Sequence, residues 1–401
     1  MSNNSKIEYR KATDEDKLHI MSLQSIFFAM NSNEEDVRES IKNGDSYMDT
    51  LYSAVGEDGG LLAGIAAIPY TMWFDGNKVP MCGIGGVVSA PESRRRGNIR
   101  NLTEKIFDDV YEKGAVFSHL FPFSHDYYRK FGFEHVGAAR KYTLPLANTK
   151  GFQSSGTVYK YINGDEIRSE LIDVYESYAS RHNIMISRSD NRWNDVFKIS
   201  LFDTNYLYYW KDSNGKTKSW AKFSISDDTM NIRDIAWVDH ESMLGIFQFF
   251  GMFDSSAKML CFKASPEFTA ELYWNNLYHI EVSYDWLGMN RVVNAKRALE
   301  LLHIPDYINE GSFTIKINDK FAKWNTGTYE VKYGSGENTV KMLSPTASAD
   351  IETSELALVQ MILGVYDFEQ VSRRSDVIVS GDLNSLKRIF PKKSLLITDG
   401  F

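Results

Sequence analysis

The spacing of apolar residues changes abruptly after a glycine-rich run at residues 83–88. That run is apolar and β-branched, which is typical of a strand with a bulge or a close backbone contact. Pro91 ends the strand. From Ile99 onward apolar residues recur every three or four positions, which predicts a helix that begins near Arg96 or Gly97. Free amides in the first turn of a helix bind anions, so the pattern predicts an anion site where the strand meets the helix.

Other helix and strand patterns divide the chain into three parts. In the first part, two helices with polar N-terminal clusters precede strands at residues 51–55, 61–68 and 70–74, with a break expected at Pro69. The second part repeats this order in outline, without the arginine-rich turn. The third part combines a helix, a hairpin and an apolar helix that ends at Gly364. A length of 401 residues also predicts two or three domains.

Composition narrows the class of protein. A hydrophobic content of 43% and a charged content of 24% are typical of a soluble globular protein. No segment has the uninterrupted apolar length of a membrane span, and no signal-like core follows the polar N-terminus, so we expect a cytoplasmic protein. The net charge of −8 argues against a nucleic-acid partner and favours a cationic substrate. Cys82 and Cys261 are interpreted as small buried hydrophobic residues, and no metal-ligand spacing occurs.

The turn at Arg94, Arg95 and Arg96 has two interpretations from the residues alone. Three consecutive arginines can form a solvated basic turn, or they can belong to the anion site at the helix start. Neither Gly-x-x-x-x-Gly-Lys-Ser/Thr nor Gly-x-Gly-x-x-Gly occurs nearby. Nucleoside triphosphate and dinucleotide sites are therefore disfavoured.

The segment Arg94-x-x-Gly97 resembles the pyrophosphate-binding motif of the GNAT acetyltransferases, Gln/Arg-x-x-Gly-x-Gly/Ala. The large residue Ile99 departs from the general motif and fits the Eis-like (enhanced intracellular survival) branch better. The resemblance implies that Val87, Val88 and Ser89 hold the pantetheine arm of acetyl-CoA and that the turn holds its pyrophosphate. The cofactor-binding residues predicted in this way are Val87, Val88, Ser89, Arg94, Arg95, Arg96, Gly97, Asn98, Ile99, Arg100, Phe123 and Ser124.

A second match lies at residues 128–133, which resemble the GNAT pattern Tyr-x-x-x-Gly-Phe/Tyr. The resemblance implies that Tyr128 is the general acid that protonates the departing thiolate of CoA, a step that needs a hydroxyl group. The alternative is that Tyr127 and Tyr128 are a packed aromatic pair. His119, His125 and His135 are weaker candidates, because no Asp or Cys accompanies them at an informative spacing.

The chain ends on Phe401. In Eis-like proteins the terminal Phe inserts into the active site and its α-carboxylate acts as the base, so the resemblance implies that role for Phe401. Without the resemblance, an incidental C-terminus is the plainer interpretation. Gly400 stands where this branch can carry an acidic residue, and Asp399 lies one position further back. How the amine is recognised is therefore left open.

The resemblance implies an α+β fold class: tandem GNAT folds with mixed, splayed central sheets, followed by a sterol carrier protein-like α/β domain. We expect a catalytic domain at residues 1–147, a GNAT-like domain without the cofactor motif at 148–289, and a carrier-like domain at 290–401 that delivers the C-terminus to the active site. A homo-oligomer, a hexamer by resemblance, is also expected.

The implied function is an acetyl-CoA-dependent N-acetyltransferase that acts by direct transfer and needs no metal. Its acceptor is a small-molecule or peptide amine, expected to be cationic, such as an aminoglycoside, a polyamine or a lysine side chain. Two alternatives remain: a lipid- or sterol-binding protein that uses the C-terminal domain, and a regulator that binds acetyl-CoA without turnover.

Overall fold

The structure, a computed structural model, describes residues 7–29, 33–162, 166–200, 202–274, 276–334 and 336–401. Its sheets and helices form three parts. The first part comprises β1 Glu8–Lys11, α1 Asp14–Phe28, α2 Glu34–Lys42, β2 Leu51–Val55, β3 Leu61–Phe74, β4 Asn77–Ser89, α3 Asn98–Glu112, β5 Phe117–Leu120, α4 His125–Arg129 and β6 Glu134–His135. The helix predicted to begin near Gly97 is α3, and that prediction is confirmed.

The predicted break at Pro69 is wrong, because β3 runs through it without interruption. A proline lacks the N–H that a central strand needs, so it requires a position without a neighbour on one side. β2 pairs with β3 only as far as Ala66, and the next partner on that side begins opposite Thr71. Pro69 lies in the gap between the two partners. None of the described strands lies opposite it there to accept a hydrogen bond, so its missing N–H costs the sheet nothing.

The central strand β4 is distorted where the sequence predicts a bulge. Gly64 of β3 pairs with Val88, and Ala66 pairs with Gly85, so β4 has one more residue than β3 in this interval. Gly86 supplies the positive φ of 54° that the bulge requires. On its other side β4 pairs in parallel with β5 only from Met81 to Gly83. Beyond Gly83 the two strands separate, which opens the sheet at the bulge.

The second part contains a second mixed sheet. Its elements are β7 Ala138–Pro145, β8 Thr157–Lys160, α5 Arg168–Ala179, β9 Ile186–Ser187, α6 Asp190–Phe197, β10 Asn205–Lys211, β11 Thr217–Ser226, β12 Thr229–Trp237, α7 His240–Phe250, β13 Met259–Ala264 and β14 Glu281–Trp286. The strand order is β14-β7-β13-β12-β11-β10-β8. β9 instead pairs with β3, so it extends the first sheet at the gap beside Pro69.

The third part begins with a strand that returns to the first sheet. Its elements are β15 Met289–Val292, α8 Ala295–Glu300, β16 Gly311–Asn318, β17 Gly327–Tyr333, β18 Thr339–Met342, β19 Ile351–Ser354, α9 Glu355–Leu363, α10 Phe368–Val371, β20 Val377–Val379 and α11 Leu383–Ile389. β15 lies between β5 and β6. The sheets therefore interlock across the predicted boundaries at 147 and 289, which stay predictions. The predicted α+β class is confirmed.

The C-terminal tail is anchored in the core rather than frayed. Leu395, Leu396 and Ile397 are buried, and burial of each such side chain contributes about 1.5–3 kcal/mol. An isolated parallel bridge joins Leu395 of the tail to Asn183. The amide of Asn183 donates to the carbonyl of Ser394, and the amide of Leu396 donates back to Asn183. The second part of the chain thus directs the tail towards β4.

Candidate active site

Phe401 lies on β4 at the point where β4 and β5 separate. A Cβ atom added to Gly83 would lie 2.8 Å from the ring of Phe401, and one added to Gly85 would lie 3.9 Å from its carboxyl carbon. A side chain at position 83 would also meet the Tyr70 ring at 2.6 Å. Gly83 is therefore required for the terminal residue to reach the strand, and the α-carboxylate lies next to the open part of β4.

Three rings hold the ring of Phe401. The centroids of Tyr70, Phe121 and His119 lie 4.7, 5.4 and 5.8 Å from it. Aromatic pairs at such distances contribute about 0.5–1.5 kcal/mol each beyond the area that they bury. Burial lowers the pKa of His119 to about 3, against the opposing effect of a backbone contact with Leu287. His119 is therefore neutral at pH 7 and serves as a packing partner.

Asp399, two residues before the terminus, is held by two arginines from the second part of the chain. Its carboxylate lies 3.0 Å from Nε of Arg188 and 3.2 Å from Nη1 of Arg192. The hydroxyl of Tyr175 donates to it at 3.3 Å. Side-chain exposure is 8% for Asp399 and 4% for Arg188. The two arginines thus balance the charge of Asp399 inside the protein, so its carboxylate is not available to act as a base.

Arg188 also pairs with the buried Asp234 at 2.5 Å. Burial acts to lower the pKa of Arg188, but the charges of Asp234, Tyr175 and Asp399 outweigh it, and the pKa is raised. Arg188 is therefore always protonated. A buried cation that pairs with two carboxylates fixes the direction from which the tail enters, since removal of one partner leaves an uncompensated buried charge.

Arg192 joins the tail to the wall of the site. Its Nη2 donates to the hydroxyl of Tyr70 at 2.6 Å and to the carbonyl of Gly400 at 3.4 Å. Tyr70 is the residue whose ring packs on Phe401. One guanidinium therefore fixes Asp399, Gly400 and the neighbouring ring together.

The arginine-rich turn has the geometry of an anion cradle. Gly97 is the N-cap of α3 with φ of 84°, and Arg95 also has a positive φ, of 62°. The first helical bond runs from the amide of Asn101 to the carbonyl of Gly97, which leaves the amides of residues 98–100 outside the helical ladder. A Cβ atom added to Gly97 would meet nothing within 4 Å. The space in front of these amides is open.

Several predicted cofactor-binding residues turn their side chains inward. Val88 is buried against α1, and the hydroxyl of Ser89 donates to the carbonyl of Leu62. Asn98 is buried and donates to the carbonyl of Ser93 at 3.4 Å, and Ile99 packs on the core. The side chains of Val88 and Asn98 are therefore buried away from a ligand, while those of Ser89 and Ile99 are half-buried.

The predicted arginines differ in their surroundings. Arg94 stacks on the ring of Phe27 at 4.8 Å, and Arg100 pairs with Glu104 at 3.2 Å. Arg95 and Arg96 are exposed beside the open space at Gly97. Within the described part of the chain neither forms an ion pair, so the turn presents two guanidinium side chains of a kind that suits phosphate.

Tyr128 is buried in an aromatic cluster that it shares with Phe123, Tyr127, Phe131 and Phe133. Ser124 caps α4 by accepting from the amide of Tyr127, and Phe123 is 74% exposed. Burial raises the pKa of Tyr128, with a further contribution from Tyr127. Its phenol therefore keeps its proton. Among the described residues no hydrogen bond or ring contact joins Tyr128 to Phe401.

The other two predicted histidines lie elsewhere. His135 contacts the side-chain amide of Gln360 and the ring of Tyr366 in the third part of the chain. His125 begins α4. His135 therefore connects the first and third parts of the chain. Unlike His119, neither His125 nor His135 packs on the ring of Phe401.

Gln24 is a further site residue that the sequence did not indicate. It is 1% exposed on α1, and its Nε2 donates to the carbonyl of Gly86 at 2.8 Å. The hydroxyl of Tyr47 donates to Oε1 of Gln24 at 3.2 Å. This pair of bonds holds the bulge of β4, and with it the amides of the next residues.

A cavity of about 790 Å³ opens beside Phe401. The elements that line it are α6, β9, the Pro69 gap of β3 and the segment before β2, and its polar lining includes Tyr47, Tyr70 and Arg192. The sequence did not indicate Arg188 or Arg192 as site residues. The one signal that the sequence offered for them is their spacing of four residues, with Arg188 just before a short helix and Arg192 within it.

Comparison with known proteins identifies two domain families. A model of acetyltransferase (GNAT) domains matches residues 8–136, and a model of sterol carrier protein domains matches residues 295–396. The chain contains a GNAT acetyltransferase domain, followed by a sterol carrier protein-type domain. The GNAT match covers the strand, bulge and turn described above. No curated protein sequence gives a significant match.

Solved structures share the fold of this acetyltransferase over its full length. A probable N-acyltransferase from Enterococcus faecalis has a TM-score of 0.86 at 20% identity, covering 99% of this chain and 100% of its own. A GCN5-related N-acetyltransferase from Anabaena variabilis has a TM-score of 0.84 at 20% identity with the same coverage. Eis1 from Mycobacterium abscessus has a TM-score of 0.78 at 13% identity, also with the same coverage. The predicted Eis-like architecture is confirmed.

Two searches of the described residues gave no candidate. None of the helices in these segments is long and apolar enough to cross a membrane. No group of three His, Cys, Asp or Glu residues within the same segments is arranged to hold a metal ion.

Proposed function

We propose that this acetyltransferase transfers the acetyl group of acetyl-CoA directly to a primary amine, with the C-terminal carboxylate of Phe401 as base. The observation that carries the proposal is the place of that carboxylate, 3.9 Å from the Cβ position of Gly85, where β4 and β5 separate. It lies between the open backbone of β4 and the cavity beside Tyr70. An amine in the cavity can therefore meet both a base and a thioester held along β4.

The fit of acetyl-CoA rests on the turn and the strand. The amides at the start of α3 and the side chains of Arg95 and Arg96 supply donors and positive charge for the pyrophosphate. Gly97 leaves the space for it. Backbone groups at Val87 to Ser89 are proposed to hold the pantetheine arm, positioned by the bond from Gln24 to Gly86.

The proposed transfer has two proton movements. The carboxylate of Phe401 takes a proton from the attacking amine as its nitrogen forms a bond to the acetyl carbon. The carbon–sulfur bond then breaks, and the phenol of Tyr128 gives its proton to the CoA thiolate. Tyr128 is given this role by its match to the GNAT pattern, and its phenol carries a proton at pH 7.

Several finer expectations stay predictions. One is that the acceptor is cationic, whether an aminoglycoside, a polyamine or a lysine side chain. The others are a homohexamer, a cytoplasmic location and the absence of a nucleic-acid partner. The open space at Gly97 supports acetyl-CoA binding over the lipid-carrier alternative, and the cavity at Phe401 supports an acceptor site, which a regulator without turnover would not need.

Calorimetry with acetyl-CoA and detection of free CoA with a panel of amines test the proposal together. Micromolar binding with amine-dependent release of CoA is expected. Binding without release for any amine would favour the regulator. Bound lipid in the purified protein without acetyl-CoA binding would favour the lipid carrier.

A further inference from the structure

The side chains that line the cavity beside Phe401 carry positive charge. Lys78, Arg188 and Arg192 face it, and the rest of its lining is aromatic, aliphatic, hydroxyl or amide. Within the described residues no acidic side chain lines this cavity. The only negative group on its wall is the carboxylate of Phe401.

The carboxylates that balance these bases lie behind the cavity and are occupied by the protein. Glu176 accepts from Lys78 at 2.9 Å, from the indole of Trp73 at 3.1 Å and from the hydroxyl of Ser187 at 3.0 Å. Asp234 and Asp399 are each 8% exposed and pair with Arg188. None of the three is free to receive a second ammonium group from an acceptor.

The basic groups, in contrast, remain accessible. The side chain of Lys78 is 48% exposed and that of Arg192 is 28% exposed. A smaller cavity of about 290 Å³ shares Tyr70 and Pro69 with the first and adds Lys11 and Lys113. Its one acidic residue, Asp49, is 73% exposed and pairs with Lys17 at 3.4 Å, so two lysines accompany one carboxylate there. The accessible charge around the acceptor is therefore basic.

We propose that the acceptor of this enzyme carries an anionic group, a carboxylate or a phosphate, in addition to the amine that is acetylated. This inference rests on the proposed function, because it takes the cavity beside Phe401 as the acceptor site. The amine approaches the terminal carboxylate while the anion meets Arg192 or Lys78. In a polycationic acceptor, one positive charge could pair with the carboxylate of Phe401. Its other charges would lie against arginine and lysine and would be repelled. The inference departs from the cationic acceptor expected from the net charge of the chain.

Peptides of equal length that share one N-terminal amine can show how the charge of the acceptor affects its acetylation. We would compare Gly-Gly-Glu-amide, its isosteric Gln counterpart, Gly-Gly-phosphoserine-amide and Gly-Gly-Arg-amide, whose guanidinium adds charge without a second acetylatable amine. The expected kcat/KM is about tenfold higher for the Glu peptide than for the Gln peptide, equivalent to ~1.4 kcal/mol, and lowest for the Arg peptide. Added salt should reduce the difference.

Two lysine variants localise the effect. Lys78→Met removes a half-exposed ammonium from the cavity, and Lys150→Met removes one of similar exposure, paired with Asp254, from the second part of the chain. The preference for the Glu peptide should shrink in Lys78→Met and persist in Lys150→Met. A preference for phosphoserine over Glu would assign the anion as a phosphate, and the reverse would assign a carboxylate.

Other outcomes overturn the inference and remain distinct from failure of the function. Equal kcat/KM for the Glu and Gln peptides, or a higher value for the Arg peptide, would contradict the anionic acceptor while leaving the acetyltransferase in place. Absence of CoA release with all four peptides and with the wider amine panel would overturn the proposed function itself.

Discussion

Arg188 binds Asp399 through Nε at 3.0 Å, although the two residues are 211 positions apart in the sequence. This ion pair ties the second part of the chain to the tail, two residues before the proposed catalytic carboxylate. The second part of the chain carries no cofactor motif. It contributes to the site by positioning the C-terminus and by lining the cavity beside Phe401.

Breaking this pair should lower turnover more than acetyl-CoA binding. In Arg188→Gln the buried Asp234 loses its cation and Asp399 keeps only Arg192. The loss of one partner of a buried pair destabilises a protein by about 3–5 kcal/mol. We expect a lower Tm, a fall in kcat of tenfold or more, and an unchanged Kd for acetyl-CoA.

Asp399→Asn and the double variant complete a thermodynamic cycle. If the pair acts as a unit, the free energy of unfolding should fall less in the double variant than the sum of its falls in the two single variants. Arg373→Gln, which removes a 71% exposed partner of Glu369, is the control and should leave kcat within the error of the assay. Additive effects in the cycle would contradict a direct role for the pair.

The cofactor turn depends on the backbone of Gly97. Gly97→Asn should fold normally, because Asn tolerates the left-handed conformation and the added atoms meet open space in the free protein. It should weaken acetyl-CoA binding only in part, because its uncharged side chain crowds the space proposed for the pyrophosphate. Gly97→Glu places a negative charge in front of the amides of α3 and should abolish binding. Calorimetry on both folded variants measures the difference, and equal affinity for Asn and Glu would place the pyrophosphate elsewhere.

Loss of the Tyr128 hydroxyl should slow the chemical step without changing stability or acetyl-CoA binding. The ring packs on Phe123, Phe131 and Phe133, and Tyr128→Phe preserves these contacts. We expect kcat to fall by ~10²–10⁴-fold, the typical contribution of a general acid, with Tm and the Michaelis constant for acetyl-CoA little changed. Activity within a few fold of the wild type would make Tyr128 a packing residue.

Two buried histidines should make the protein sensitive to acid. Burial lowers the pKa of His119 to about 3 and that of His182 to about 4, each below the ordinary value of 6.5. The unfolded chain therefore binds more protons below pH ~6.5, and the free energy of unfolding falls as the pH falls, by ~1.4 kcal/mol per unit for each histidine. Above that pH neither residue contributes a slope.

Chemical denaturation between pH 4 and pH 8 measures this dependence. His182→Gln should flatten the acid side of the curve, and the exposed His240→Gln should not. Parallel curves for the wild type and His182→Gln would show that His182 is protonated in the folded state.

Local signals in the sequence predicted much of the first domain. The capping box at Thr13, the switch from strand to helix period after Ser89, and Gly97 at the start of α3 depend on neighbours within a few residues. The residues alone predicted an anion site or a solvated basic turn at Arg94 to Gly97, and only the resemblance to the GNAT motif implied acetyl-CoA there. Short-range chemistry fixes these features wherever the segment lies in the fold.

Features that depend on distant pairing were not predicted. Pro69 is tolerated inside β3 because β2 ends before it, and β15 crosses into the first sheet from residue 289 onward. Arg192 meets Asp399 across 207 positions of sequence. No periodicity or cap marks such contacts, since they form only when three domains pack together.

A single atom replacement at the C-terminus tests the central claim most directly. Ligation of a synthetic peptide of residues 394–401 onto the rest of the chain, through Ser394→Cys, can give two proteins that differ only at the α-carbon substituent of Phe401, a carboxylate or a carboxamide. The ring of Phe401 and the Asp399 contacts are present in both. We predict equal Tm and equal acetyl-CoA affinity, with turnover of the carboxamide at least ~10²-fold lower, the smaller end of the effect of a general base. Equal turnover of the two proteins would contradict the account, because the terminal carboxylate could then not be the base.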